Sequence, residues 1–334
     1  MNLFERRVKK FWHNEQRKLS RDPFDEINEQ LLSHTSQSKS QYRSLIRWYY
    51  WIFTHKLLFS FITLFCLPLL IYVFLLIFAN NRAFIPMELN QHRHNLLLVV
   101  AHPDDECLFF SPTLRVLFTQ CHFTLNLIVF SRGNHVGLGE TRARELHGSC
   151  QMLNIAQDRC ISLDLPQIQD NPKVWWSERE LLPIIDKYVK KWSIDFLVSF
   201  DNGGISGHLN HRAVGSAVRL YTRNQTNTMI KSSYELKSVS LLRKYSSILD
   251  FYWIFISTLP RLLHAFFVVL DPFNLFPSID QSYVLLISTP NDYMASRTAF
   301  ASHQSQYGWD RHLYLLASRY MFVNELKSID KYGK

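Results

Sequence analysis

The sequence predicts an α/β protein, a mostly parallel sheet with helices on both faces, preceded by one membrane-crossing helix. Three observations predict it. From about Asn90 onward, short apolar runs rich in Leu, Val, Ile and Phe alternate with helix-like segments. Three of these runs end in polar loops rich in His, Asp, Asn and Gly. Nearer the N-terminus, 23 consecutive residues carry no charge.

Composition narrows the class before any element is assigned. Of 334 residues, 47% are hydrophobic, 14% aromatic and 19% charged, which excludes a disordered chain. With only 10 Gly and 12 Pro, collagen-like and low-complexity classes are excluded too. At roughly 150 residues per domain the length allows one large or two small domains. The five cysteines (Cys66, Cys107, Cys121, Cys150 and Cys160) are odd in number and contain no CxxC pair. That argues against a disulfide scaffold or zinc ribbon, and for reduced thiols in a reducing compartment.

Residues 1–56 form a basic arm, with 11 Lys/Arg against 6 Asp/Glu. Its FERRVKKFWHNEQRKL segment interleaves basic and aromatic residues. Beside an apolar span, a solvated tail or contact with anionic headgroups is simpler than nucleic-acid binding. A formal net charge of +9 is also modest for the whole chain, so no nucleic-acid partner is expected. Residues 57–79, LLFSFITLFCLPLLIYVFLLIFA, would reach ~34 Å as a helix, enough for a hydrocarbon core of ~30 Å. Pro68 is tolerated in such helices. Trp48, Tyr49, Tyr50 and Trp51 resemble an interfacial aromatic belt, and Arg82 closes the far end. The basic flank Arg43, Arg47 and Lys56, taken alone, would put the N-terminus in the cytosol.

Beyond Asn90, LLLVVA (Leu96–Ala101), FTLNLIVF (Phe123–Phe130), DFLVSF (Asp195–Phe200) and YVLLIS (Tyr283–Ser288) read as buried strands. Cys107–Thr119, Gly139–Asn154, Ser177–Trp192 and His208–Tyr221 read as helices between them. The alternation is Rossmann-like, and in such sheets ligands bind outside the carboxyl ends of the strands. The polar loops lie at those ends: AHPDDE after the first strand, SRGNHVGLG after the second and DNGGISGHLNH after the third. Sheet stability requires none of them, so their convergence marks a site.

Spacing suggests the chemistry. His102 and Asp105 are three apart on a turn, and His208 and His211 repeat that spacing at a helix start. Two histidines and a carboxylate with open positions suit a catalytic Zn²⁺ or Fe²⁺. Asp104 and Asp105 are adjacent, so their carboxylates diverge: one can ligate while the other takes a proton from the attacking water. The spare histidine of the HxxH pair can stabilise an oxyanion or protonate a leaving amine. Taken singly, HxxH is more often ordinary histidine, and HPDDE can be an N-capped helix start. Two such loops at equivalent strand ends are hard to explain that way. There is no GxSxG elbow and no GxxxxGK[ST] loop, and GNHVGLG lacks dinucleotide spacing.

AHPDDE after a strand, with the later GHLNH, resembles the LmbE/PIG-L-like zinc de-N-acetylases, over the chain from Asn90 to the C-terminus. SRGNHVGLGETRARELHGSC, DNGGISGHLNHRAV and SHQSQYGWDRHLYLLASRYM are most similar to the eukaryotic PIG-L branch. The resemblance implies that His102, Asp105 and His211 ligate a divalent metal, most simply Zn²⁺. It implies that Asp104 is the general base and His208 the acid or oxyanion stabiliser. Arg142 falls at the family's substrate-gripping position, and His303 is expected to line the site. The implied reaction is hydrolysis of the acetamide of N-acetylglucosaminyl-phosphatidylinositol, the second step of GPI-anchor synthesis, at the cytosolic face of the endoplasmic reticulum. The basic flank of the span points the opposite way.

A lipid substrate fits the anchor, because tethering at the bilayer raises effective concentration. The second apolar segment, residues 251–270, is interrupted by Pro260, Arg261 and His264. A second span there would also separate His303 from AHPDDE across the membrane. An interfacial element touching lipid, or a buried pair of apolar helices, is expected instead. Two alternatives remain: a de-N-acetylase acting on another N-acetylglucosaminyl conjugate, or a non-catalytic membrane subunit retaining the fold. The second has no use for buried ionisable groups that cost several kcal/mol each when unpaired.

Overall fold

A computed structural model describes residues 7, 9–10, 23–79, 85–90, 94–224, 229–269 and 282–329. Most of FERRVKKFWHNEQRKL, together with Arg82, Arg93 and Leu270, lies outside these residues. The chain divides into two compact units, Met1–Leu64 and Phe65–Lys334.

In the first unit, α1 (Pro23–Phe61) is a single helix. Its described side chains from Ser38 onward are almost all exposed, Trp48 to Trp51 among them. A π-helical turn, Ile62–Cys66, follows α1 and precedes α2 (Leu67–Ala79). Pro68 has no N–H to donate to the preceding turn, and a π-bulge absorbs such a break. Among the described residues one helical stretch, Ser38–Phe78, is long and apolar enough to cross a membrane.

The second unit is built on a seven-stranded sheet. Its strands are β1 (Asn95–Val100), β2 (Thr124–Val129), β3 (Cys160–Ser162), β4 (Phe196–Phe200), β5 (Ser232–Leu236), β6 (Tyr283–Ile287) and β7 (Val323–Ser328). Their order is β3-β2-β1-β4-β5-β7-β6. The first five strands pair in parallel, whereas β7 runs antiparallel to both β5 and β6. The chain winds outward from β1 through β2 to β3, then crosses to β4 on the other side. The switch point therefore lies between the carboxyl ends of β1 and β4, where an open α/β sheet places its ligand.

Period-two alternation builds both faces. Leu96, Leu98 and Val100 enter one core cluster, and Leu97, Val99 and Ala101 the other. The first cluster is covered by α4 (Ser111–Cys121) and α5 (Gly139–Met152), the second by α6 (Glu178–Trp192) and α7 (Leu209–Arg223). The segment read as one helix from Cys107 is two: α3 (Asp105–Leu108) and α4, with Pro112 in the first turn of the latter. A proline fits that turn but cannot continue a preceding helix. The later helices are α8 (Leu241–Lys244), α9 (Asp250–Val269), α10 (Pro290–Ala301) and α11 (Trp309–Ala317).

A third cluster sits at the antiparallel edge. Ile71 and Leu75 of α2 pack on Phe251 and Ile254 of α9, Leu285 and Ile287 of β6 and Val323 of β7. The Tyr72 hydroxyl donates to Ser288 O at 2.6 Å. The apolar segment after Asp250 is thus a helix with one face packed on α2 and the other, carrying Trp253, Ile256 and Leu263, exposed.

One expectation is corrected. Cys150, near the end of α5, and Cys160, opening β3, form a disulfide with 6.4 Å between their Cα atoms, and both are buried. Counting cysteines and searching for CxxC tests only close spacings. Here the chain turns back over ten residues and brings helix end and strand start together. Among the described residues Cys66, Cys107 and Cys121 stand outside any disulfide.

Candidate active site

At the switch point, a cavity of about 220 Å³ is lined by the loops after β1 and β4, with contributions from α5, the loop after β3 and α11. His102, Asp104, Asp105, Arg142, His208 and His211 all line it. His303 does not.

The loop after β1 turns sharply. Asp105 Oδ2 accepts from the N–H groups of Ala101 (3.1 Å) and His102 (2.8 Å), which locks the carboxylate under the end of the strand. Asp104, at φ +114°, holds a backbone conformation costly for any residue but glycine. Its N–H is fixed by Glu106 Oε2 at 3.0 Å, and the strained turn delivers its carboxylate to the cavity.

The loop after β4 is tied by Asp201. That carboxylate accepts from the N–H groups of Gly203 (2.9 Å), Gly204 (3.1 Å) and Ser238 (2.6 Å). The chain then enters α7 with His208 at the N-cap and His211 in the first turn. The His211 ring lies flat on Phe200, their centroids 4.2 Å apart.

Two imidazoles and a carboxylate meet. His211 Nε2 lies 3.2 Å from Asp105 Oδ1 and 3.3 Å from His102 Nδ1, and His102 Nδ1 lies 3.8 Å from Asp105 Oδ2. The outer nitrogens show which protons the rings carry. His102 Nε2 faces Asp170 Oδ1 at 3.1 Å, and His211 Nδ1 faces Gly204 O at 3.2 Å. Both partners are acceptors, so both outer nitrogens bear hydrogen. Asn210 agrees: with its amide nitrogen toward Val174 O and Asn171 O (3.0 Å each), its oxygen accepts from His102 Nε2 at 3.1 Å.

In the neutral rings, the inner nitrogens are therefore two lone pairs 3.3 Å apart, facing a carboxylate oxygen. Such an arrangement repels itself unless a proton or a metal cation stands between. Tetrahedral ligands at about 2.1 Å from one ion are about 3.4 Å apart, so the donor set fits a divalent metal. His208 also lies close enough to His102 and His211 to share an ion with them.

The electrostatics agree. Burial alone would lower the His102 imidazole, but Asp170, Asp105 and Asp104 hold it above its ordinary value. Burial would raise Asp105, yet His211 and His102 keep it well below the carboxylate range. Asp104 is different: burial pushes its carboxyl up and Asp105 adds to the effect, while Arg142 pulls back from 3.6 Å. Burial, with His211 and His102 beside it, brings His208 down to about 4.

Arg142 donates to Pro103 O (2.6 Å) and Gly133 O (3.0 Å), joining the loops after β1 and β2. Gly133, at φ +64°, presses against that guanidinium so closely that a Cβ would collide with it. His303 is fully buried behind the cavity, its Nε2 2.7 Å from Glu106 Oε1. Glu106 Oε1 also accepts from Ser149 Oγ at 2.5 Å. His303 thus supports the carboxylate that holds the Asp104 backbone and stands outside the cavity lining.

Sequence reasoning missed Asp170, Asn210, Glu106 and Arg311. Asn210 and Glu106 sit inside the quoted motifs, where hydrogen-bond geometry alone separates supporting residues from lining ones. Asp170 follows β3, and the strand-end rule would have found it had that three-residue strand been legible. Arg311 lines the cavity from a helix distant in sequence.

Fold and site together define a class: doubly wound α/β proteins with three clustered histidines, His102, His208 and His211, beside the carboxylates of Asp104 and Asp105 at the switch point. Comparison with known proteins is more specific. Residues 97–222 match the family model described as PIG-L, GlcNAc-PI de-N-acetylase. The chain is 36% identical over 230 residues to the N-acetylglucosaminyl-phosphatidylinositol de-N-acetylase of Bos taurus, a match covering 69% of this chain and 81% of the relative. It is 30% identical over 270 residues to a probable enzyme of the same name from Dictyostelium discoideum, covering 71% and 94%. Among solved structures, the N,N'-diacetylchitobiose deacetylase of Pyrococcus horikoshii is similar at 15% identity and a TM-score of 0.43, covering 70% of this chain and 83% of that one. The chain belongs to the GlcNAc-PI de-N-acetylase family.

Proposed function

We propose that this chain hydrolyses the acetamide of N-acetylglucosaminyl-phosphatidylinositol, yielding glucosaminyl-phosphatidylinositol and acetate, the second step of GPI-anchor synthesis. The observation that carries the reading is the convergence of His102 Nδ1, His211 Nε2 and Asp105 Oδ1, with both outer ring nitrogens turned to acceptors, beside a raised Asp104 carboxyl at the switch point.

His102 Nδ1, His211 Nε2 and Asp105 would hold a divalent cation, most simply Zn²⁺ given an N/O donor set without thiolate. When bound, it would polarise the acetamide carbonyl and acidify a water from pKa ~15.7 toward ~7. Asp104 takes a proton from the attacking water; burial raises its carboxyl toward the range in which a base also gives the proton back. As the C–O bond forms and the C–N bond breaks, that proton passes to the departing amine, and acetate leaves. His208, neutral at pH 7, donates a hydrogen bond to the developing oxyanion rather than serving as the acid. Arg142 holds the Asp104 loop and meets the substrate where it lines the cavity. Asp170 and Asn210 orient His102, and His303 acts through Glu106 on the Asp104 turn.

The domain organisation follows the same reading: residues 1–56 an arm, 57–79 the anchor and 90–334 the catalytic domain, at the endoplasmic reticulum membrane with that domain on the cytosolic face. The exposed face of α9 lies against lipid. The deciding experiment is acetate release from N-acetylglucosaminyl-phosphatidylinositol by the purified chain, before and after chelation, with D104N alongside. Activity lost on chelation and restored by Zn²⁺ is expected. D104N should retain the metal and lose about 10²–10⁴-fold in rate. Full turnover by D104N would remove Asp104 as base, and activity only on a soluble conjugate would replace the substrate.

A further inference from the structure

Beside the cavity mouth, the second unit exposes an apolar rim. Leu241 and Leu242 of α8, with Trp309, Leu313 and Leu316 of α11, are each between 58% and 83% exposed. On α11 the three recur at i, i+4 and i+7 and so form one stripe, while Tyr314 and Leu315 are buried. The two elements are joined. Ser247 Oγ donates to Leu316 O at 2.8 Å, and the Tyr245 and Tyr314 rings meet edge to face at 6.0 Å. Scattered exposed leucines need no explanation, but five large apolar side chains on adjoining helices do.

The molecule itself indicates what covers this rim. From α8 the chain runs directly into α9, whose Phe251 and Ile254 pack on Ile71 and Leu75 of the apolar helix α2. The outer face of α9 exposes Trp253, Ile256, Leu263 and Phe267. Large apolar side chains are thus exposed on α2 (Leu69, Leu70, Val73 and Ile77), on α9, which packs against it, and on α8 and α11. A tryptophan and leucines on the wet side of short helices, continuous with a span, suit the boundary between headgroups and acyl chains.

We propose that α8 and α11 form a bilayer-docking lip that presses the cavity mouth against the membrane surface. Because Arg311 of α11 lines the cavity, one helix then presents its stripe to acyl chains and a guanidinium to the headgroup being read. The proposal rests on the reading of the substrate as a membrane glycolipid.

The test uses the full chain in phosphatidylcholine–phosphatidylinositol vesicles containing a lipid with an acyl-chain diazirine. After photolysis, peptides bearing Leu241–Leu242 and Trp309–Leu316 should carry lipid, as the span does. Peptides bearing Met152 and Leu220, exposed apolar residues near the far ends of α5 and α7, should not. A labelled span with an unlabelled lip overturns the proposal, as does cross-linking of the lip to protein instead of lipid. This readout needs no turnover, so it stands even if wild-type chain releases no acetate from the glycolipid. Where it does, L242S/L313S/L316S should lose about tenfold in rate on vesicle-embedded substrate through lost effective concentration, and nothing on a deacylated, water-soluble analogue. Equal loss on both substrates, or on neither, overturns it.

Discussion

The two halves of the sheet differ in kind. From β3 to β5 the strands are parallel, and the switch-point strands are buried, β4 throughout and β1 from Leu96 onward. They deliver every histidine and aspartate of the proposed donor set through the loops at their carboxyl ends. The β5-β7-β6 edge is antiparallel. It contributes no donor atom, but it packs α2 and leads the chain to the α8–α11 rim. Chemistry needs loops converging on one point, which parallel strands with crossover helices supply. Attachment needs a broad apolar face, which a sheet edge covered by helices supplies.

Breaking one half should leave the other intact. The largest effect is expected from H211A, which removes one inner nitrogen and its stacking on Phe200. Bound metal, measured by elemental analysis, and acetate release should both be lost, with the fold retained by circular dichroism. Undiminished metal would remove His211 from the donor set. At the other edge, L326A empties a fully buried position in β7. A cost of about 2–5 kcal/mol is expected in denaturant unfolding, with kcat per folded molecule unchanged; a selective fall in kcat would erase the division between the halves.

Within the site, smaller effects separate layers. Asp170 sets which nitrogen of His102 carries hydrogen, so D170N should weaken metal affinity by about 10–100-fold while leaving stability nearly constant. Metal titration of the apoprotein reads this directly.

The smallest effect lies behind the cavity, in the Glu106–His303 pair. Against burial, Glu106 raises His303 and His303 lowers Glu106. The His303 contribution is full below the ordinary histidine value of 6.5 and fades as pH rises through its raised pKa. The Glu106 contribution is full above 4.5 and fades as pH falls through its lowered pKa. H303Q, which keeps one hydrogen bond, should therefore cost about 1–2 kcal/mol, most between pH 4.5 and 6.5. Calorimetry across pH checks this; a difference that grows steadily toward alkaline pH would refute the pairing.

Much of the parallel half was legible because burial on both faces demands unbroken apolar runs, and Leu96–Ala101 and Phe196–Phe200 are such runs. The strands missed were short or polar: CIS at β3, SSYEL at β5 and VNELKS at β7. Each sits at or beyond the rim of the parallel core, where neighbours rather than composition hold a strand in place. The disulfide escaped for a related reason, since Cys150 and Cys160 meet only once α5 has docked beside β3.

Sequence by itself determined that an apolar helix precedes a parallel α/β core, and that AHPDDE and GHLNH stand at strand ends. Both are local consequences of hydrophobic period and residue type. Tertiary structure alone decided which nitrogen of each histidine faces inward, that Asp170 stands behind His102, and that His303 supports Glu106 instead of lining the cavity. For His102, Asp170 and His303 those are distances between residues 68 to 197 positions apart, and no local pattern encodes them. They exist because β1 and β4 lie side by side and bring their loops to one place.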